Sequence, residues 1–290
     1  MGGGWVLEVD IESYFEKIDK TRLQEILRQR VRDGVLLRLI GKWLNAGVME
    51  DGCVYHPETG APQGGVISPM VSNIYLHEVV DKWVQTQVQP HMKGRVMMVR
   101  FADDLVIVCN REDDARRIAA VLPKRLGKYG LRLNSQKTRL LKFHRPNGKN
   151  PRAGEAAGPT SFDLLGFTHY WGRSRKGYWV VKRRTMKSRL SRTLKAVAGW
   201  CRRNRHEPVK KQHEALVRKL RGHDAYYGIT SNYAALAVLR TWVARIWHKW
   251  LSRRSRKARL SWEQMQKLLE AFPLPKARVV HSALPRAANP

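Results

Sequence analysis

Apolar residues in this chain switch between two spacings, and the switches mark its elements. Trp5-Val6-Leu7-Glu8-Val9-Asp10-Ile11 is a short β-rich run with an acidic residue near its end. From residue 20 to about residue 45 the spacing turns helical, with Leu23, Ile26, Leu27, Leu36, Leu37 and Ile40 on helix-like repeats and Gly34 interrupting them. Pro62-Gln63-Gly64-Gly65 reads as a turn or loop, and the amphipathic stretch from Ile67 to Val84 as a helix opening near Ser68-Pro69. Residues 95–101 and 105–109 are two apolar strands around the tight acidic turn Ala102-Asp103-Asp104, which predicts a β-hairpin. A helix is predicted over 112–129 and another strand over 131–141. The order strand, helix, hairpin, helix, strand is that of a ferredoxin-like α+β plan with an antiparallel sheet.

Residues 144–160 are rich in Pro, Gly, Asn and Ala and are expected to form a flexible loop. Past Tyr178 the composition shifts. Residues 171–260 carry 26 Lys and Arg against Glu207, Glu214 and Asp224, a net +23 of the chain's +31. Leu239, Trp242, Val243, Ile246, Trp247, Trp250 and Leu251 share one face of a helix and are assigned to a core, with Arg240, Arg245 and Lys249 on its other side. A boundary near residue 180 is therefore expected, with an α+β domain over 1–180 and an all-α basic domain over 181–290.

The charge changes the picture of what the chain meets. At +31 over 290 residues it is drawn to polyanions, of which nucleic acid is the commonest. A basic membrane-surface protein is the competing reading, but no apolar stretch approaches the roughly 18–20 residues needed to span a bilayer. Cys53, Cys109 and Cys201 stand far apart with no C-x-x-C pair, which argues against a disulfide framework and a zinc site and fits a reducing cytoplasm. The loose cluster Cys201, His206 and His213 matches no zinc spacing. Met1-Gly2-Gly3-Gly4-Trp5 has no basic region followed by an apolar core, so no signal peptide is expected.

Adjacent aspartates in a turn between apolar strands repel each other unless a cation is present. Asp10 ends a separate strand that can lie beside the hairpin, giving three carboxylates, Asp10, Asp103 and Asp104, of the hard oxygen type that suits Mg²⁺. Two such ions about 3.5–4 Å apart clamp an in-line phosphoryl transfer. A solvated hairpin tip is the plain alternative.

Phe101-Ala102-Asp103-Asp104 closely resembles the Tyr/Phe-x-Asp-Asp box of reverse transcriptases. Ala61-Pro62-Gln63-Gly64-Gly65-Val66-Ile67-Ser68-Pro69 resembles their Pro-Gln-Gly loop, and Asn73-Ile74-Tyr75-Leu76 continues the likeness. Asp10-Ile11-Glu12-Ser13-Tyr14-Phe15 is similar to the first catalytic-aspartate motif. Gly130-Leu131-Arg132-Leu133-Asn134-Ser135-Gln136-Lys137-Thr138 is similar to the motif after the hairpin, with Gln136 where these enzymes usually have Glu. Phe162-Asp163-Leu164-Leu165-Gly166-Phe167 resembles the primer grip. The five motifs stand in order over roughly residues 5–170, and the whole most resembles bacterial group II intron reverse transcriptase/maturases. His223-Asp224-Ala225-Tyr226-Tyr227-Gly228 with Asn232-Tyr233 resembles a segment of their maturase domain.

The resemblance implies an RNA-directed DNA polymerase palm followed by a basic thumb/maturase domain, with two Mg²⁺ ions, dNTPs, a DNA primer, an RNA template and intron RNA as partners. Asp10 and Asp103 would ligate both metals, Asp104 would assist, and the Ile11 carbonyl could complete one shell. Phe15 would lie under the incoming sugar and exclude a 2′-hydroxyl. Gln63 and Gly64 would border the nucleotide, and Phe101 belongs to the same substrate-binding set. Lys137 would protonate or stabilise the leaving pyrophosphate, and Gly166 and Phe167 would support the primer end. A core aromatic and a plain surface lysine are the alternatives for Phe15 and Lys137. Arg183, Arg184, Arg202, Arg203, Arg253, Arg254, Arg256 and Lys257 form the densest cationic clusters, suited to RNA. Interleaved aromatics (Trp171, Tyr178, Trp179, Tyr226, Tyr227, Tyr233) suit base stacking or, for most of them, packing of the helical core.

Only nine residues precede Asp10, where the family usually carries a fingers region that grips the triphosphate. Weak or absent polymerisation by this chain alone is therefore expected, unless another chain supplies the fingers. A splicing cofactor that binds RNA without catalysis is the second reading. A nucleotide cyclase on a similar palm is disfavoured, because its Gly-Gly-Asp/Glu-Glu-Phe turn is not found. No endonuclease domain is expected, since neither a His-Asn-His signature nor a metal-binding cysteine set follows.

Overall fold

The computed structural model describes residues 3–46, 48–50, 53–55, 60, 67–146, 160–255 and 259–282. The chain divides into two compact units, Met1–Leu165 and Gly166–Pro290.

The first unit is built on strand β1 (Gly3–Val9), helices α1 (Lys20–Arg28) and α2 (Gly34–Leu44), a small hairpin β2 (Val48–Glu50) and β3 (Cys53–Tyr55), and helix α3 (Ser68–Leu76). Then come β4 (Val96–Phe101), β5 (Asp104–Cys109), α4 (Glu112–Gly127), β6 (Arg139–His144) and β7 (Phe162–Leu164). Four strands form one sheet in the order β4-β5-β1-β6, with every neighbour antiparallel. That is the ferredoxin-like order expected from the sequence. β1 lies inside the sheet and reads Val6-Leu7-Glu8-Val9, buried throughout. Its one acid, Glu8, is held by Arg139 on the facing strand and by the Asp163 N–H at 2.6 Å.

The helices follow local rules. Asp19 and Asp33 cap α1 and α2 by accepting from the backbone N–H groups of Thr21 and Arg22, and of Val35 and Leu36. Gly34 starts α2 rather than breaking a longer helix. α3 opens at Ser68 with Pro69 at its first turn, then runs on through two π-helical turns, His77–Asp81 and Val84–Val88. The wider turn shifts carbonyls out of the regular ladder. Arg125 of α4 donates to two of them, Val79 O at 2.9 Å and Glu78 O at 3.2 Å. Leu23, Val71, Tyr75, Val80, Ile107 and Ile118 belong to the core packed between sheet and helices.

The strand expected over 131–141 starts later. β6 begins at Arg139, and residues 131–138 instead make a turn-rich segment with one isolated bridge, Ile11 to Leu133. The reason is local: the Asn134 side chain accepts from the Gln136 and Lys137 N–H groups, folding the chain into a turn that competes with extension.

The second unit opens with an antiparallel hairpin, β8 (Phe167–Arg173) and β9 (Trp179–Thr185), paired from Phe167 with Thr185 to Arg173 with Trp179. A boundary at 180 would cut this hairpin, so the division at residue 165 replaces it, and the unit is not all-α. Helices α5 (Lys187–Arg203), α6 (Val209–Tyr227), α7 (Tyr233–Leu251) and α8 (Trp262–Ala271) follow. Their core holds Val197, Cys201, Leu216, Leu239, Val243, Trp247, Leu251 and Met265. The expected α7 stripe supplies much of it, but Trp242 is exposed, with Arg245 over its ring at 5.2 Å. Burial in this core raises the Cys201 thiol to about 12, as it raises Cys109 in the first unit to about 11.

Candidate active site

Asp10 follows directly on β1, and Asp104 opens β5. The β1–β5 register ends with Val9 paired to Leu105, and Asp10 and Asp104 are the next residues beyond that pair on the two chain segments. The three carboxylates therefore come from one end of two neighbouring strands. Asp103 occupies the two-residue turn between β4 and β5, where Phe101 pairs with Asp104. The turn is tight enough to force Ala102 to φ +53°, a region costly for any residue with a Cβ.

The hairpin tip is braced by a residue that the sequence patterns did not single out. Arg100 donates to both Asp81 oxygens (2.7 and 2.5 Å), to the Asn73 side chain at 3.0 Å, and to the Ala102 carbonyl at 2.9 Å. One guanidinium fork thus ties α3 and its π-helical continuation to the turn that carries Asp103. An arginine in an apolar strand beside the acidic turn was the available signal. Tyr14, four residues past Asp10, is buried and donates to the Ser72 carbonyl at 2.5 Å. Burial pushes its hydroxyl far above the ordinary tyrosine range, Arg100 opposes the shift, and the charge of Asp103 adds to it. Asp103 and Arg100 are thus felt at the base of the turn after Asp10.

Asp10 is also tied to the segment after the hairpin. Its carbonyl accepts from Asn134 N at 2.8 Å, its N–H donates to Thr138 Oγ1 at 3.3 Å, and Lys137 Nζ lies 3.4 Å from its Oδ2. The Asn134 turn that shortens β6 is what delivers Lys137 to Asp10. Both side chains are open to water, so the pair adds at most about 1 kcal/mol to stability. Asp103 and Asp104 are exposed. Among the described residues, no group of three or more Asp, Glu, His or Cys side chains is gathered tightly enough to hold a metal ion.

The other expected site residues fall as follows. Phe15 sits half-buried in the 3-10 turn Tyr14–Lys17, tilted against Tyr14 at 5.3 Å and packed on the core. Ile11 is buried. Gln63 and Gly64 lie outside the described residues, but Gly60, just before them, does not: its N–H donates to Ile18 O at 2.8 Å. At φ +91° a Cβ on Gly60 would stand 2.8 Å from the Phe15 and Glu16 carbonyls. Phe101 is 68% exposed.

Gly166 and Phe167 belong to the second unit, where Phe167 is buried against Tyr226 (5.8 Å) and Tyr227 (5.2 Å) and is occupied by packing. Gly166, at φ +76°, has the Tyr227 hydroxyl where a Cβ would go. Arg202, Arg203 and Arg253 are exposed, Arg253 over Trp250 at 5.7 Å. Arg183 is half-buried, and Arg184 is exposed over Tyr170 at 5.1 Å. Arg254 differs: it donates to the Arg205 carbonyl at 2.6 Å and to the Glu207 carbonyl, bracing the loop between α5 and α6. Arg256 and Lys257 lie outside the described residues. Of the interleaved aromatics, Trp171 is buried while Tyr178, Tyr226 and Tyr233 are each more than half exposed, so fewer pack the core than expected.

The profile of the family described as reverse transcriptase (RNA-dependent DNA polymerase) matches residues 2–169, more than half of the chain. The chain belongs to the reverse transcriptase family. Within it, the chain is similar to the group II intron-encoded protein LtrA of Lactococcus lactis subsp. cremoris, 40% identical over 83 residues (29% of this chain, 14% of LtrA). It is also similar to protein YkfC of Escherichia coli, 32% identical over 168 residues (48% of this chain, 43% of YkfC). The solved telomerase of Candida albicans in complex with a fragment of telomeric RNA covers 92% of this chain, with 46% of its own length covered, at 14% identity and a TM-score of 0.47. The chain spans less than half the length of the curated relatives it matches. As a member of that family it carries an Asp-Asp hairpin in an antiparallel sheet. No helix among its described residues is long and apolar enough to cross a membrane.

Proposed function

We propose that this chain extends a DNA primer on an RNA template by nucleotidyl transfer from dNTPs, using two Mg²⁺ ions held by Asp10, Asp103 and Asp104. The β1–β5 register carries the reading, because it brings Asp10 to the end of the ladder that Asp104 opens. The donor chemistry suits the metal, since Asp10, Asp103 and Asp104 are hard oxygen ligands open to water, and they would draw closer together than they stand in order to hold it. Mg²⁺, when bound, lowers the pKa of the primer hydroxyl and offsets charge on the phosphate. Asp10 and Asp103 would hold the ions, Asp104 would support them, and the Ile11 carbonyl would add an oxygen. Lys137 holds a proton beside Asp10 and is suited to donate it to the departing pyrophosphate. Arg100 is a positioning residue that fixes the turn on which Asp103 stands. Phe15 packs under the sugar, with Gln63, Gly64 and Phe101 bordering the nucleotide and Gly166 and Phe167 behind the primer end. The first unit serves as the palm and the second as the basic thumb.

Primer extension by the purified protein on an RNA template, with and without Mg²⁺, tests this. Weak extension by this chain alone, strengthened when a second chain supplies a fingers region and abolished in both cases by Asp103→Ala, is expected, and normal extension by that variant would overturn the site.

A splicing cofactor that binds intron RNA is the second reading, favoured by the net +23 over residues 171–260. Arg183, Arg184, Arg202, Arg203 and Arg253 are its phosphate contacts. Arg254, engaged with backbone carbonyls, is left out of the set. Replacing Arg183 and Arg184 by Gln should lower the salt dependence of RNA affinity by a slope of about 2, with no effect from Asp103→Ala. An unchanged slope would remove these two residues from the RNA contact.

A further inference from the structure

We infer that the outer side of α2 is a docking surface for an acidic amphipathic helix of a partner protein. Four large apolar residues stand in water on this helix: Val35 at 65%, Leu36 at 41%, Leu39 at 40% and Trp43 at 44% exposure. At about 100° per residue they fall within roughly 100° of arc and span about 12 Å of helix. They are not the edge of the buried face. Ile40, Gly41 and Leu44 are the residues α2 turns inward, and they lie on a different arc of the helix. A contiguous apolar stripe of this kind on a helix end-capped at Asp33 marks an interaction site rather than scattered surface residues.

Charge decides the occupant. Along one flank of the stripe runs a groove of about 570 Å³ between α1 and α2, lined among others by Arg28, Arg38 and Lys42, with Gln24 and Asn45. None of these three cations makes an ion pair among the described residues. A helix with apolar residues at i, i+3, i+4 and i+7 would cover the stripe, and acidic side chains on its flank would meet the groove. RNA would use the cations but gain little from Val35, Leu36 and Leu39, since only Trp43 offers a stacking face. The proposal does not depend on the assignment of the hairpin carboxylates.

The test uses the full chain and a fluorescein-labelled designed peptide of about 18 residues, or five turns, with Leu on one helical face and Glu on the other. A scrambled-order peptide of the same composition and a single-stranded RNA oligonucleotide are the controls. The acidic peptide should bind saturably. Leu39→Gln/Trp43→Gln and Arg38→Gln/Lys42→Gln should each weaken it about tenfold or more, the scrambled peptide should fail, and RNA affinity should be unmoved by the apolar pair. All four substituted side chains are exposed, and circular dichroism checks that the fold is kept. No saturable binding, equal binding of the scrambled peptide, or loss only with the charge variant would overturn the proposal. Loss of RNA affinity with Leu39→Gln/Trp43→Gln would do the same, assigning the face to RNA.

Discussion

The two units use their polar residues in opposite ways. In Met1–Leu165 the aspartates of the recognisable motifs stand in water at the end of a sheet, and the structure spends other residues, chiefly Arg100, on holding them there. In Gly166–Pro290 three polar residues, Asp224, Asn232 and Gln212, are buried and are themselves the fastenings. Asp224 accepts from Arg240 and from Arg278 N at 3.2 Å. Asn232 accepts from Thr185 N and donates to Thr185 Oγ1 and Tyr227 O, each at 2.8 Å, so it joins hairpin to helix. Gln212 accepts from the Trp247 indole at 3.0 Å and donates to the Arg205 and Glu207 carbonyls. A motif therefore does not by itself announce chemistry; burial and partners separate a site from a knot.

The sharpest way to break this comparison is to remove one aspartate from each side. Asp103→Ala should lower primer extension by on the order of a thousandfold. It should move the urea unfolding midpoint hardly at all, because an exposed turn residue contributes about 0.5 kcal/mol or less. Asp224→Ala should do the reverse in stability, costing about 3–5 kcal/mol because Arg240 is left buried without its partner. Arg240→Met in the same chain should recover much of that loss. An Asp224→Ala protein as stable as wild type would show that the pair is no fastening.

A smaller effect is expected at Asn232, which is almost fully buried. Replacing it by Ala leaves the Thr185 N–H unpaired and should cost about 1–3 kcal/mol in denaturant unfolding. The smallest concerns His223, stacked on Tyr227 at 4.5 Å with both ring nitrogens buried and unpartnered. Burial lowers its pKa from the ordinary 6.5, and Arg240 adds to this while Asp224 opposes. The unfolded chain takes up a proton first, so the contribution of neutral His223 is intact above pH 6.5 and is lost as pH falls toward the folded value. The melting temperature should drop between pH 7.5 and 5.5, and His223→Phe should flatten that part of the drop.

Much of the first unit was legible beforehand. The two apolar runs around the Asp103-Asp104 turn predict the hairpin, and Ser68-Pro69 predicts the start of α3. Leu131 and Leu133 look like strand residues, yet the Asn134 side chain folds the next residues into a turn. Strand β9 crosses residue 180, so most of it falls inside the stretch expected to be all-α. Arg254 counts as a surface cation in sequence and as a buttress in space.

Periodicity and residue chemistry by themselves determined the antiparallel α+β plan, the apolar face of α7 and the presence of three candidate carboxylates, because these depend on neighbours within a few positions. Only the tertiary structure decided that Asp10 lies just beyond the end of the β1–β5 ladder, beside the start of β5, that Lys137 comes to Asp10, and that Asp224 and Asn232 are fastenings. Those outcomes rest on strand register and on partners tens of residues away, and local spacing carries no record of either.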